Sequence, residues 1–267
     1  RLAIEAAQAG VDKIRINPGN IGEKANVLAV ANVCREKGIP IRVGVNSGSL
    51  ERELLSKYGG ATPEALCESA LDKVRMLEEC DFDQIVVSVK SSNVSNMIAT
   101  NRLLSERTDY PLHLGVTEAG TLMSGLVKSS VGIGSLLADG IGDTIRVSLT
   151  DDPVEEVYAA KDILKAAGLR KEGVNIISCP TCGRTKIDLF TLASQVEDGL
   201  KSVKKNITVA VMGCVVNGPG EASHADYGIA GGDGCGVIFA KGKVLKKLPY
   251  EELANEFIKM IKDNDEQ

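Results

Sequence analysis

Short apolar runs rich in β-branched residues alternate with helical stretches over the N-terminal part of the chain, and this alternation limits the possible folds most. The predicted strands are residues 12–17, 39–46, 84–90, 111–117 and 143–149. The predicted helices, with apolar positions at helical spacing, are residues 22–37, 63–79, 93–106, 119–138 and 153–167. Strands that are apolar along their length and joined by helices predict an α/β fold with a parallel sheet covered on both faces.

Polar side chains at the predicted strand ends favour one of two α/β architectures. Five βα units fit either an open doubly wound sheet or a (β/α)8 (TIM) barrel that lacks about three N-terminal βα units. Barrel enzymes place their active sites at the C-terminal ends of the strands. The polar residues expected at or just past those ends are Arg15, Asn17, Arg42, Asn46, Lys90, Glu118, Arg146 and Ser148. Single residues of this kind are often turn residues, but five successive strands with this ending favour the barrel.

The regular alternation of predicted strands and helices ends after residue 169. Predicted strands at 174–178 and 207–212, a hairpin at 227–232 and 236–241, and helices at 187–203 and 249–261 indicate a smaller α+β domain. We therefore predict a barrel domain at residues 1–170 and a second domain at 171–267. Because the chain starts with Arg1, inside an amphipathic helix, we expect it to be an N-terminally truncated part of a longer protein.

Composition excludes several function classes. The net charge is -5 and aromatic residues make up 3% of the chain, so neither a basic surface nor stacking platforms for nucleic acid are expected. The sequence contains no apolar run of about 18 residues, so no membrane span is expected. Seven cysteines, an odd number in a chain of this size, favour a reducing cytoplasm over a disulfide scaffold.

The strongest local motif combines Cys179, Cys182 and Cys214 with Glu221 in a Gly-Pro-Gly-Glu turn. Two of the cysteines follow one predicted strand and the third follows another, so all three can converge on one metal. A helix predicted to start near Thr185 would favour the thiolate form through its positive end.

The residues alone leave the identity of the metal open. A three-cysteine iron–sulfur site with one weaker ligand is favoured. Zinc would need a fourth Cys or His, for which Cys235 and His224 are available. A thioredoxin-like pair would leave Cys214 unexplained. The other cysteines, Cys34, Cys67 and Cys80, lie in helical stretches and are expected to be buried structural residues. His113, within a strand, is expected to be a core residue with satisfied hydrogen bonds.

Five segments together resemble the 4-hydroxy-3-methylbut-2-enyl diphosphate synthase family over essentially the whole chain. They are residues 13–20 (KIRINPGN), 41–50 (IRVGVNSGSL), 114–120 (LGVTEAG), 179–184 (CPTCGR) and 212–221 (MGCVVNGPGE). The resemblance implies a TIM barrel followed by a small reductase-like domain. It also implies a [4Fe–4S] cluster on Cys179, Cys182, Cys214 and Glu221, and so favours iron over zinc.

The resemblance also implies a reaction and partners. The expected substrate is 2-C-methyl-D-erythritol 2,4-cyclodiphosphate, whose ring is opened and which loses a hydroxyl with two electrons from ferredoxin or flavodoxin. Arg15, Arg42, Lys90 and Arg146 would bind the two phosphates, with Asn17, Asn46 and Ser148 as hydrogen-bond partners, and Glu118 would supply a proton. A homodimer is implied, in which the small domain of one subunit covers the barrel of its partner.

Two rival functions differ in class from this enzyme. One is a non-catalytic zinc or iron–sulfur module on a degenerate barrel, which would have no need of four phosphate-binding cations. The other is a different phosphate-binding barrel transferase in which the cysteines are structural, and its activity would survive loss of Cys214.

Overall fold

The structure is a computed structural model that describes residues 1–17, 24–215, 220 and 222–265. The chain forms two compact units, Arg1–Leu169 and Arg170–Gln267. No helix in the described ranges is both long enough and apolar enough to cross a membrane.

The first unit alternates helices and strands as the sequence predicts. Its helices are α1 Leu2–Gln8, α2 Lys24–Lys37, α3 Arg52–Tyr58, α4 Pro63–Glu78, α5 Val94–Ser105, α6 Leu122–Ala138 and α7 Pro153–Ala166. Its strands are β1 Ile14–Ile16, β2 Ile41–Asn46, β3 Ile85–Lys90, β4 His113–Leu114 and β5 Thr144–Ile145. The sequence also encodes local start signals, since Thr62 and Asn93 cap α4 and α5 by accepting hydrogen bonds from Ala65 N and Asn96 N.

The five strands of the first unit run parallel in chain order. Strands β1, β2 and β3 form one sheet, β4 pairs with β5, and a bridge between Val87 and Leu112 connects the two groups. Among the described residues β1 and β5 do not pair, so the five strands do not close into a barrel; the sequence predicted only a partial barrel. The α/β class is confirmed, but about eight strands are needed to close a barrel with a filled interior.

The two faces of this sheet differ in character. One face is apolar and lies in the core under the helices, with Ile16, Val43, Val45, Val87 and Val89 all buried. Because side chains alternate along a strand, the intervening positions fall on the opposite face. We call that opposite face of β1–β5 the inner face, and it carries most of the predicted substrate-binding residues.

The second unit is built on a five-stranded mixed sheet. Its strands are β6 Val174–Ser178, β7 Ile207–Met212, β8 Tyr227–Gly231, β9 Cys235–Ala240 and β10 Lys243–Pro249, and its helices are α8 Leu189–Leu200 and α9 Tyr250–Asp265. The order is β10-β9-β8-β7-β6, with β6, β7 and β8 parallel and β8, β9 and β10 antiparallel. The hairpin predicted from the sequence is confirmed as β8 and β9.

Candidate functional site

Strand register brings the first cations of the inner face together. Arg15 on β1 pairs with Arg42 on β2. The guanidinium of Arg15 lies across Gly44, and its Nη2 donates to Gly44 O at 3.2 Å. A Cβ at position 44 would lie 2.3 Å from Arg15 Nε, so the missing side chain of glycine makes room for this arginine.

Lys90 and Arg146 meet around a second glycine of the inner face. Lys90 ends β3 opposite Asn46, and Arg146 N donates to Leu114 O at 2.9 Å. A Cβ at Gly115 would lie 3.2 Å from Lys90 Nζ and 2.5 Å from Arg146 O. The lysine therefore packs against bare backbone and is only 7% exposed.

The cations of the inner face influence one another electrostatically. Burial, followed by the charges of Arg146, Arg42 and Arg15, lowers the pKa of Lys90 to about 7, while Glu156 acts in the opposite direction. Burial and the charges of Arg15 and Arg146 also lower the pKa of Arg42. Like charges this close together disfavour their own ionisation, and a bound anion would relieve that repulsion.

The placement of two cations differs from the sequence expectation. Arg42 is the second residue of β2, not a residue at its C-terminal end, and Arg15 lies in the middle of β1. The inner face is polar along the strands themselves, because the register continues the same face from strand to strand. Asn46 and Lys90 do end their strands, and Arg146 and Ser148 follow β5.

Asn17 and Glu118 have unusual local environments. Asn17 is 7% exposed, and its Oδ1 is buried without a hydrogen-bond partner in the described structure. Glu118 is exposed and has a φ of 52°, a left-handed conformation that costs a residue other than glycine about 1–3 kcal/mol. Such strain is concentrated at functional sites.

His113 is not the satisfied core residue expected from the sequence. It is 8% exposed and its Nδ1 lies 2.8 Å from Thr144 Oγ1, but its Nε2 is buried without a partner in the described parts of the chain. Burial, followed by the charges of Arg42, Lys90, Lys13 and Arg146, lowers its pKa to about 3. The period-two alternation of His113 and Gly115 with apolar neighbours was the sequence signal that places it on the inner face.

Two of the predicted cluster ligands follow adjacent parallel strands. Cys179 comes directly after β6, and Cys214 lies two residues after β7, so both belong to one edge of the sheet. Gly213 N donates to the Sγ of Cys179 at 3.2 Å. An N–H donor to sulfur stabilises a thiolate, and soft thiolates suit iron–sulfur clusters and zinc.

Cys182 lies in the turn between β6 and α8. Its N–H donates to Thr185 Oγ1 at 3.2 Å. A hydrogen bond from the backbone of Arg184 lowers the pKa of the Cys182 thiol, against the effect of burial and with help from Thr185. The predicted cause was wrong: α8 begins at Leu189, not near Thr185, so turn amides rather than a helix end act on this thiol.

These thiols do not form a complete ligand set by themselves. Within the described ranges no group of three or more His, Cys, Asp and Glu residues could hold a metal ion. Glu221 lies outside the described residues. Cys235, which begins β9 at the same edge, is half-buried, and His224 is exposed. Cys34, Cys67 and Cys80 are buried as expected.

Comparison with known proteins decides the family. The family model described as GcpE TIM-barrel domain matches residues 1–161, and the GcpE protein C-terminal domain matches residues 175–263. The 4-hydroxy-3-methylbut-2-en-1-yl diphosphate synthase (flavodoxin) of Clostridium perfringens is 64% identical over 98% of this chain and 75% of its own length. This chain belongs to that family.

Other family members agree closely with this chain. The synthases of the same printed name from Caldanaerobacter subterraneus and Fusobacterium nucleatum are 61% and 58% identical over 98% and 99% of the chain. They are covered over 74% and 75% of their own lengths. The family consists of iron–sulfur oxidoreductases of isoprenoid biosynthesis, and the resemblance stated from the five sequence segments is confirmed.

One solved structure also resembles the chain weakly. The homocysteine methyltransferase MmuM from Escherichia coli is 12% identical, with a TM-score of 0.30 over 78% of this chain and 68% of its own. A similarity this low supports no argument about fold or function.

Proposed function

We propose that this member of the diphosphate synthase family converts 2-C-methyl-D-erythritol 2,4-cyclodiphosphate to (E)-4-hydroxy-3-methylbut-2-enyl diphosphate. The observation that supports the substrate class is the inner face of β1–β5. Arg15, Arg42, Lys90 and Arg146 share this face, and in the described structure none of them forms an ion pair with a carboxylate. A face on which four cations form no ion pair with a carboxylate in the described structure, although the charge of Glu156 acts on Lys90, is suited to a doubly phosphorylated ligand.

The residues of the inner face would divide the work of substrate binding. The arginines offer planar, bidentate donors to phosphate oxygens, and Lys90 offers a compact charge. Asn17, Asn46 and Ser148 would add neutral hydrogen bonds. Because the cations are fixed by strand register and by contact with glycine backbone, the phosphates would be held in one orientation.

Glu118 would supply the proton that the departing oxygen needs. In the reaction two electrons enter, the ring opens at a carbon–oxygen bond, and the diphosphate remains on the product while a hydroxyl leaves as water. Leaving as water requires one proton at that oxygen. Glu118 is the carboxyl that follows β4, the strand between those of Lys90 and Arg146.

Cys179, Cys182, Cys214 and Glu221 would hold a [4Fe–4S] cluster. When bound, such a cluster supplies an electron relay and a Lewis-acidic iron. The thiols at one sheet edge, with the Gly213 N–H directed at Cys179 Sγ, support this assignment. A carboxylate is a harder and more labile ligand than a thiolate, so Glu221 would be the ligand that exchanges most easily.

The proposed partners are an electron donor and a second copy of the chain. The relatives carry flavodoxin in their names, and we propose flavodoxin, or ferredoxin of similar function, for this chain. We further propose a homodimer in which the small domain of one subunit covers the barrel of the other. The free cysteines support a reducing, cytoplasmic setting.

The test is an anaerobic assay of the purified chain with the cyclodiphosphate and reduced flavodoxin, together with metal and acid-labile sulfide analysis. We expect about four irons and four sulfides per chain and formation of the hydroxymethylbutenyl diphosphate. Zinc without sulfide, or a chain with a full cluster that forms no product, would contradict the proposed function.

A further inference from the structure

His113 is a buried, uncharged group surrounded by cations. It begins β4, pairs with Thr144 of β5, and lies on the inner face together with Arg42, Lys90 and Arg146. The charged groups that act on it are Arg42 of β2, Lys90 of β3, Lys13 just before β1 and Arg146 after β5, and all four are cations. An imidazolium here would add a fifth positive charge, so the ring is neutral at physiological pH.

The cations also determine which ring nitrogen carries the proton. A neutral imidazole has one N–H and one lone pair. The lone pair is most stable facing the positive charges, and the N–H is most stable facing a neutral acceptor. We assign Thr144 Oγ1, 2.8 Å from Nδ1, as that acceptor, with the proton on Nδ1 and the lone pair on Nε2.

Two buried groups of the inner face have complementary needs. Arg42 Nε is a buried donor without a partner in the described structure, and His113 Nε2 is a buried acceptor without one. A buried polar group without a partner is destabilising, so an arrangement that pairs these two groups is favoured. Arg15 has a different anchor, the carbonyl of Gly44.

We propose that His113 is a positioning residue for Arg42, whose Nε–H it accepts at Nε2 when the guanidinium turns to bind a phosphate of the cyclic diphosphate. This inference rests on the proposed function, because it takes the cyclodiphosphate as the ligand. A neutral acceptor suits the role better than a carboxylate. It orients the guanidinium without neutralising the positive charge that attracts the phosphate.

The test is calorimetric binding of the cyclodiphosphate to the full chain and to variants at position 113. His113→Phe keeps the ring volume without an acceptor and is expected to weaken binding about tenfold. His113→Gln restores a neutral acceptor near the position of Nε2 and is expected to stay within about threefold of wild type. His113→Glu places an acceptor near the position of Nε2 but adds negative charge, and we expect binding weaker than with glutamine.

A double-mutant cycle with Arg42→Lys separates positioning from general structural support, because lysine has no Nε–H. In the Arg42→Lys background, His113→Phe is expected to have no further effect on affinity. Thermal unfolding of each variant monitors the fold.

The possible outcomes separate this inference from the proposed function. Additive losses in the cycle, or a glutamine variant as weak as the phenylalanine variant, would overturn the role of His113. A wild-type chain with a full cluster that binds no cyclodiphosphate would instead contradict the proposed function, and this inference with it.

Discussion

The inner face of the first unit and the cysteine edge of the second unit prepare their sites in different ways. The inner face is assembled by strand register, which fixes the backbone positions of Arg15, Arg42 and Lys90 before any ligand binds. At the cysteine edge Cys179, Cys182 and Cys214 lie in loops after the strands, and the described residues form no complete metal site. The sheet thus fixes the residues of the proposed anion site in advance, whereas a bound cluster would organise its proposed ligands.

The two regions also differ in how their surroundings affect the charged forms of their side chains. On the inner face it takes the form of charge repulsion and burial, shown by the lowered pKa of Lys90 and of Arg42. At the cysteine edge the backbone amide of Arg184 stabilises a thiolate. A bound anion would reduce the repulsion among the cations of the inner face. At the cysteine edge the backbone hydrogen bond instead stabilises the negative charge of the Cys182 thiolate.

The largest expected effect tests whether the two sites are independent. Cys214→Ser should remove nearly all of the about four irons per chain, because it removes a proposed cluster ligand from the sheet edge, while calorimetric affinity for the cyclodiphosphate stays near wild type. Cys80→Ser, which changes a cysteine of the other unit, should retain the iron. A Cys214→Ser protein with a full complement of iron would break the comparison, and simultaneous loss of cyclodiphosphate binding would show that the sites are coupled.

The next effect concerns the proton that Glu118 donates in the proposed reaction. Glu118→Gln should lower turnover by about 10²- to 10⁴-fold, because the amide cannot donate the proton, while iron content and substrate affinity are unchanged. The exposed carboxylate Glu106 provides the matched control, and Glu106→Gln should turn over normally. Normal turnover by Glu118→Gln would remove this residue from the mechanism.

A smaller effect is expected when the positive charge of Lys90 is removed from the inner face. Lys90→Met should weaken cyclodiphosphate binding about 10- to 100-fold, whereas Lys37→Met at the exposed end of α2 should not. The pKa of Lys90 is lowered to about 7 in the free protein, and a bound anion raises it. Affinity should therefore be highest below about pH 7 and fall as the pH rises, with proton uptake on binding at about pH 8.

Calorimetry in buffers of different ionisation enthalpy measures this uptake directly. Lys90→Met should show almost none of it. Equal proton uptake by the variant and the wild type would mean that another group titrates on binding.

The smallest effect compares the two glycines of the inner face. Gly115→Ala should lower the free energy of unfolding by about 1–3 kcal/mol, because its Cβ would lie 2.5 Å from the backbone oxygen of Arg146. At Gly44 the Cβ would meet the mobile end of Arg15, so Gly44→Ala should affect stability less and affinity by several-fold. Urea unfolding and calorimetry measure the two quantities, and a reversed order of stability loss would contradict this explanation.

Some elements could not be predicted because their local pattern is weak. The strand β10, Lys243–Pro249, was not expected, since its sequence KVLKKLP lacks regular alternation. The register shift between Val244 and Lys246 explains this, because a bulge interrupts the period of two. The short helix α3, Arg52–Tyr58, was also missed, as it has only one buried residue, Leu54.

The long strand and helix pattern was predictable because it depends on local spacing. Each helix longer than ten residues in the first unit was expected within about three residues of its observed ends. The position of Arg42 was not predicted correctly, although the predicted strand, residues 39–46, ends at the same residue as β2; Arg42 was grouped with Asn46 at the strand end because both are polar. The start of α8 at Leu189 depended likewise on its cap, Asp188.

The sequence by itself determined the α/β class, the two-part organisation and, through five short segments, the family. These properties depend on hydrophobic periodicity and on residue types within one stretch of chain. Only the tertiary structure placed Arg15 across Gly44, surrounded His113 with four cations and left Arg42 Nε and His113 Nε2 without partners among the described residues. Those relations join residues far apart in the chain, and their electrostatic effect depends on burial and distance, which exist only once the strands have paired.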